Sequence, residues 1–183
     1  MVEAIEHPLP KKLFFEDESR FGLMTQAGRR WARSGNRPEM LYRQTREYLA
    51  LYASVCPETG EMSSLISPFM NTCAMNAHLK ILSEEHPDTC NVVILDGAGW
   101  HRSNELLVPH NIKLIFLPPY SPQLNPIERI WDYIKGHFTR GAYFEDLDQV
   151  EARIVQGARF LHNNPETVMS VAHTTYAERI FNN

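Results

Sequence analysis

Apolar positions along the chain come in short runs in the first two thirds and in helical spacing in the last third. Residues 11–21 (KKLFFEDESRF) hold an apolar run at Leu13, Phe14 and Phe15, as expected of a strand covered on both faces. Residues 48–56 (YLALYASVC) and 62–69 form two more strands around a turn at Pro57, Glu58, Thr59 and Gly60. A fourth strand, 91–95 (NVVIL), ends at Asp96, and a fifth covers 113–117. Helices are expected over 74–86, where Met75, Leu79 and Leu82 share a face, and over 103–109, 145–161 and 168–180. Another opens at Asn125 with Pro126 in its first turn, and Ile127, Ile130, Trp131, Ile134 and Phe138 form its apolar stripe. Residues 26–46 carry Gly28, Gly35 and Pro38 with little periodicity and read as loop. Strands followed by alternating helix and strand predict a mixed α/β sheet flanked by helices, with sites at strand ends.

Composition adjusts this picture modestly. The chain has 183 residues, 43% of them hydrophobic, enough for a buried core in one domain. Three scattered cysteines, Cys56, Cys73 and Cys90, form no CxxC pair and read as small core residues. The eight histidines contain no HxxxH pair. Neither a bilayer-spanning run nor a signal peptide is present, so the expectation is a cytoplasmic protein without a membrane partner.

Charge changes the picture more. The net charge of −4 argues against a nucleic-acid partner until its distribution is read. Residues 20–46 hold seven arginines and one acid, Glu39, for a local charge of +6, while the remainder carries −10. Arginine suits phosphate because its planar fork donates two parallel hydrogen bonds. Arg29, Arg30, Arg33 and Arg37 are therefore candidate DNA contacts, and a solvated basic loop is the plainer alternative.

Three acids stand at element ends. Asp17 points by alternation to the face opposite Glu16 and Glu18, and acids beside Phe14 and Phe15 are costly unless solvated, paired or metal-bound. Asp96 closes an apolar strand and precedes Gly97, Ala98 and Gly99, which admit close approach or simply make a turn. Glu128 lies three residues after Asn125, where it could complete a cap or reach the sheet edge. Hard divalent cations prefer such carboxylates, and two ions about 4 Å apart can assist both oxygens of a phosphoryl transfer. His101, five residues after Asp96, could assist a phosphate or a water, or be a polar loop residue.

The segments FFEDESRF (14–21), VVILDGAGWH (92–101) and LPPYSPQLNPIERIWDYIK (117–135) resemble the three signature blocks of mariner-like transposases. The closest likeness is to their bacterial insertion-sequence branch, the DDE superfamily endonucleases, and the arginine loop GRRWARSGNRP (28–38) is similar too. The resemblance implies a ribonuclease-H-like fold, with a tail over 1–10, a catalytic domain over 11–140 and a helical extension over 141–183. It places the family's catalytic and metal-binding triad on Asp17, Asp96 and Glu128, with 31 residues between the last two. It implies two Mg²⁺ ions, with Mn²⁺ as a substitute, and action on transposon-end and target DNA, with TA favoured as target. It also implies a homodimer on DNA, association with the nucleoid, and a helix-turn-helix module encoded upstream, because the first strand begins about ten residues from Met1. Gly97 departs from the family, which commonly has Asn directly after the second aspartate. A decayed transposase that only binds DNA, or inhibits, is the first rival. A different carboxylate enzyme is the second, and it leaves the proline block unexplained.

Overall fold

The structure is a computed structural model that describes residues 6–25, 33–35, 39, 41–119 and 121–173. Its centre is a five-stranded sheet in the order β3-β2-β1-β4-β5. The strands are β1 (Lys11–Gly22), β2 (Tyr48–Val55), β3 (Met62–Ser67), β4 (Cys90–Leu95) and β5 (Ile112–Phe116). β1 pairs antiparallel with β2 and parallel with β4, β2 pairs antiparallel with β3, and β4 pairs parallel with β5. The mixed order is that of a ribonuclease-H-like sheet. The described helices are α1 (Thr72–Glu85), α2 (Ile127–Ile134), α3 (Leu147–His162) and α4 (Pro165–Ala172).

The two-residue period of β1 divides the core. Leu13, Phe15 and Phe21 pack with Ile127, Ile130, Trp131 and Ile134 of α2 and with Val150, Ile154 and Leu161 of α3. Phe14 faces the other way, with Tyr52, Val93 and Leu95, against Met75, Leu79 and Leu82 of α1. α1 starts where the Asn71 side chain accepts from the Ala74 N–H, and α3 where Asp146 accepts from Gln149. α2 ends in one π turn, Lys135–Thr139, closed by the Arg140 N–H to the Lys135 carbonyl at 2.7 Å. A side chain at Gly157 of α3 would stand 3.1 Å from Phe138, so glycine there lets α3 close on that turn.

Some elements differ from the sequence-based expectation. Residues 103–109 are not helical; the helical turn lies earlier, at Gly99–Arg102. Ser103 Oγ accepts from the Glu105 N–H, and Asn76 of α1 holds the following stretch by bonds to the Glu105 carbonyl and the Leu107 N–H. Local side-chain bonding and docking on α1 win there over helix formation. α4 starts earlier than expected, with Pro165 in its first turn, and residues 174–180 of that expected helix lie outside the described residues. Cys56 and Cys90 are buried, but Cys73 is exposed, because the apolar face of α1 is set by Met75 and Leu79.

Gly60 ends the β2–β3 turn at φ 76°, and a Cβ there would stand 2.1 Å from the Pro165 carbonyl oxygen. Gly60→Ala is therefore expected to lose at least the roughly 1–2 kcal/mol of a left-handed non-glycine residue, and more from the clash with α4. Urea unfolding of the two proteins measures the loss, and equal midpoints would refute it.

Candidate active site

The β1–β4 register runs from Lys11 opposite Cys90 to Phe15 opposite Ile94. Continued by two residues, it brings Asp17 level with Asp96, and alternation turns both toward the α2 face. Asn125 adds the third acid. Its buried side chain donates to the Glu16 carbonyl at 2.8 Å and accepts from the Ile127 N–H at 3.3 Å. That one amide fastens the start of α2 to β1 beside Asp17, and Glu128 projects from the first turn so fixed. The sequence reading left Glu128 either completing a cap at Asn125 or reaching the sheet edge. The Glu128 side chain makes no hydrogen bond among the described residues and instead lines an open cavity. That cavity, of about 570 Å³, is also lined by Asp17, Asp96, Arg102 and the proline-rich loop around Pro118, Pro119 and Pro122.

The three acids differ in surroundings. Asp17 is largely buried, and its Oδ2 accepts from the Trp131 indole N–H at 2.9 Å. Burial pushes its pKa up from 3.8 to about 7, against the hydrogen bonds from Trp131 and the Glu18 backbone, and the charges of Glu18 and Glu128 add to the rise. Asp96 has an exposed carboxylate whose Oδ1 accepts from the Ala98 N–H at 2.9 Å and lies 2.9 Å from His101 Nδ1. Glu128 is exposed. An all-oxygen donor set holding a desolvated, mutually repelled aspartate fits a hard divalent cation, which would relieve that repulsion.

The other candidates fall in different places. His101 is buried behind Asp96 and does not line the cavity. Gly97 lines it, and a Cβ there would stand 3.1 Å from the guanidinium of Arg102, which lies 4.8 Å over the Phe116 ring. Glycine in place of the family's asparagine thus leaves the space that Arg102 occupies. The sequence reading missed Arg102, whose signal was a cation six residues beyond Asp96 beside a small residue. It also took Trp131 only as part of an apolar stripe, because periodicity shows the ring's burial and not its N–H partner. Arg29, Arg30 and Arg37 lie outside the described residues, and Arg33 is exposed. Of the same basic segment, Arg43 is used internally, donating to the Phe144 carbonyl at 3.2 Å, and Arg20 lies 4.8 Å over Tyr48.

A ribonuclease-H-like sheet with three carboxylates in one cavity beyond its central strands defines the class: a DDE transposase-like catalytic domain. The chain belongs to the DDE superfamily endonuclease family, whose model matches residues 12–151. It is 35% identical over 130 residues to the uncharacterized protein y4pE/y4sA of Sinorhizobium fredii (strain NBRC 101917 / NGR234), covering 70% of this chain and 96% of that one. It is 26% identical over 156 residues to the insertion element IS630 uncharacterized 39 kDa protein of Shigella sonnei, covering 82% of this chain and 44% of that protein. In fold it is similar to the Mos1 transposase paired-end complex with left transposon end, with a TM-score of 0.59 at 16% identity over 88% of this chain and 55% of that one. The Mos1 mariner paired end complex with Mn gives 0.60 at 14% identity over 88% and 53%. The chain thus spans about half the length of the transposase structures it matches. Among the described residues, no helix is long and apolar enough to cross a membrane.

Because folded Asp17 holds its proton more tightly than the unfolded chain does, ionising it costs stability. In metal-free protein that cost begins as the pH rises past about 4 and is complete above about pH 7. Asp17→Asn keeps an acceptor for Trp131 and removes the charge. Its gain in melting temperature over the parent is expected to grow between those two values and level off beyond them. Melts across that range in a chelating buffer check this; a gain independent of pH would refute it. Trp131→Phe, lacking the donor, is expected to move the upper limit of the window higher.

Proposed function

We propose that this chain is the catalytic domain of an insertion-sequence transposase, which cuts DNA at transposon ends and joins them to a target. The observation that carries the reading is the convergence of Asp17, Asp96 and Glu128 on one open cavity. The family match and the fold shared with Mos1, whose structures include a paired-end complex with a transposon end and a complex with Mn, support it. In hydrolysis, water adds across a phosphodiester P–O3′ bond and leaves a 3′-hydroxyl and a 5′-phosphate. In transfer, that 3′-oxygen bonds to a target phosphorus, the target's own 3′-oxygen departs, and the proton passes to it through solvent. Neither step needs a covalent enzyme intermediate.

Asp17, Asp96 and Glu128 are the residues that would hold two Mg²⁺ or Mn²⁺ ions. When bound, such ions lower the pKa of a water and offset charge on the departing oxygen. Trp131 orients Asp17 through the indole N–H. The Ala98 N–H and His101 both engage Oδ1 of Asp96, which leaves its other oxygen for the cavity. Arg102, at the cavity wall, supplies a fork for a non-bridging phosphate oxygen. The arginines of the 28–38 segment would grip the DNA backbone. The rest of the assembly follows the same reading: a homodimer on DNA, a helix-turn-helix module encoded upstream, and a place at the nucleoid.

Nicking of transposon-end DNA in Mg²⁺ or Mn²⁺, with and without the product of the adjacent upstream frame, tests the proposal. Cleavage is expected, and Asp17→Asn, Asp96→Asn or Glu128→Gln should each lower it by several orders of magnitude. Activity retained in one variant would remove that residue from the triad. Gly97 in place of asparagine favours the rival of a decayed, DNA-binding relic, and no cleavage under either condition would favour it further. Neutralising Arg29, Arg30 and Arg33 should weaken DNA binding and reduce the slope of log affinity against log salt, by up to about 0.9 per lost phosphate contact. An unchanged slope would assign those arginines elsewhere.

A further inference from the structure

The even-numbered acids of β1 are buried behind the cavity, on the face that packs α1. There Glu16, Glu18 and His101 each bring a ligand atom within 4.8 Å of the other two. Their side chains are 0%, 2% and 0% exposed, and none of them lines the cavity. The ring of His101 has acceptors on both sides. Nδ1 faces the Asp96 carboxylate at 2.9 Å and the Asp96 carbonyl at 3.1 Å, so the proton belongs on that nitrogen. Nε2 faces acceptors too: it donates to Glu18 Oε1 at 2.9 Å and lies 3.7 Å from Glu16 Oε2, so a cation bound there would take the place of the Nε2 proton.

Glu16 completes the pattern. It is fully buried and aimed into the cluster, and both of its oxygens lack a hydrogen-bond partner. A buried carboxylate with no donor is costly, and a cation removes that cost. Glu18 Oε1 also accepts from the Trp100 indole at 2.8 Å, which fixes its orientation. An imidazole whose second nitrogen donates to a carboxylate is the arrangement in which histidine ligates metal.

We propose that Glu16, Glu18 and His101 form a second, buried metal site that takes a divalent transition-series cation, Zn²⁺ or Mn²⁺. The imidazole nitrogen and the closed surroundings disfavour Mg²⁺, which prefers oxygen and keeps several waters. The ion would act through His101, holding the Asp96 carboxylate in one orientation, and so would be structural. Its occupancy is independent of whether the chain cuts DNA.

The test uses the full chain carrying Asp17→Asn and Glu128→Gln, which strips the cavity of two carboxylates and leaves Asp96 against His101. It is equilibrated with Zn²⁺ and separately with Mn²⁺, desalted, and analysed for metal per chain by mass spectrometry. One tightly held ion per chain is expected, with removal by chelator lowering the melting temperature. Adding Glu16→Gln is expected to weaken Zn²⁺ binding by about tenfold or more in competition with a chromophoric chelator. Glu16 has no hydrogen bond to lose, so this variant keeps its fold and decides the matter even where His101→Gln does not. No retained ion, or unchanged affinity in folded Glu16→Gln, would overturn the proposal and leave the cluster held together by protons.

Discussion

The parallel pairing of β1 with β4 is the constraint on which the site depends. It puts the central strand, which carries three consecutive acids, beside a strand that ends in a fourth. β-Strand pleating then forces the acids apart: Asp17 goes to the cavity side, Glu16 and Glu18 to the α1 side. A slip of one residue would exchange these sets and bury Asp17 among the residues of α1. The apolar flanks resist that slip, because Leu13 and Phe15 belong to one core and Phe14 to the other.

The remaining geometry follows from how the buried acids are accommodated. Asp17 keeps one indole donor and a high proton affinity. Glu16 keeps no donor at all. Asp96, exposed at the strand end, is steadied from behind by His101. These are features of a site that tolerates electrostatic cost where function needs clustered charge. The adjoining residues cooperate, since Asn125 ties the glutamate's helix to the same strand and Gly97 makes room for a guanidinium at the cavity wall.

Much of this was legible in the chain. The five strands appear in the LFF, LALY and VVIL runs and their neighbours, because apolar runs between turn residues leave few alternatives. Asp96 and Glu128 were legible as acids at element ends, since a charge that closes an apolar run is conspicuous. Asp17 was read the same way, but β1 continues to Gly22 and holds it in mid-strand, paired opposite Ala53. The helix expected over 103–109 was misread for a physical reason: its fate is decided by Asn76, a residue on another element. Cys73 was misread because composition reports a residue's preference for burial, and not which way α1 turns it.

The sequence by itself determined the periodicities, and with them which face of β1 each acid takes. It also determined the local concentration of arginine that net charge conceals. These depend on neighbours in the chain, where spacing and stereochemistry suffice. Only the tertiary structure decided that Trp131 donates to Asp17, that Asn125 reaches Glu16, and that His101 stands between Asp96 and Glu18. Those contacts join residues 114, 109, 5 and 83 positions apart. Most therefore exist only once strand register and helix packing have brought distant segments within hydrogen-bond reach, and no local pattern encodes that distance.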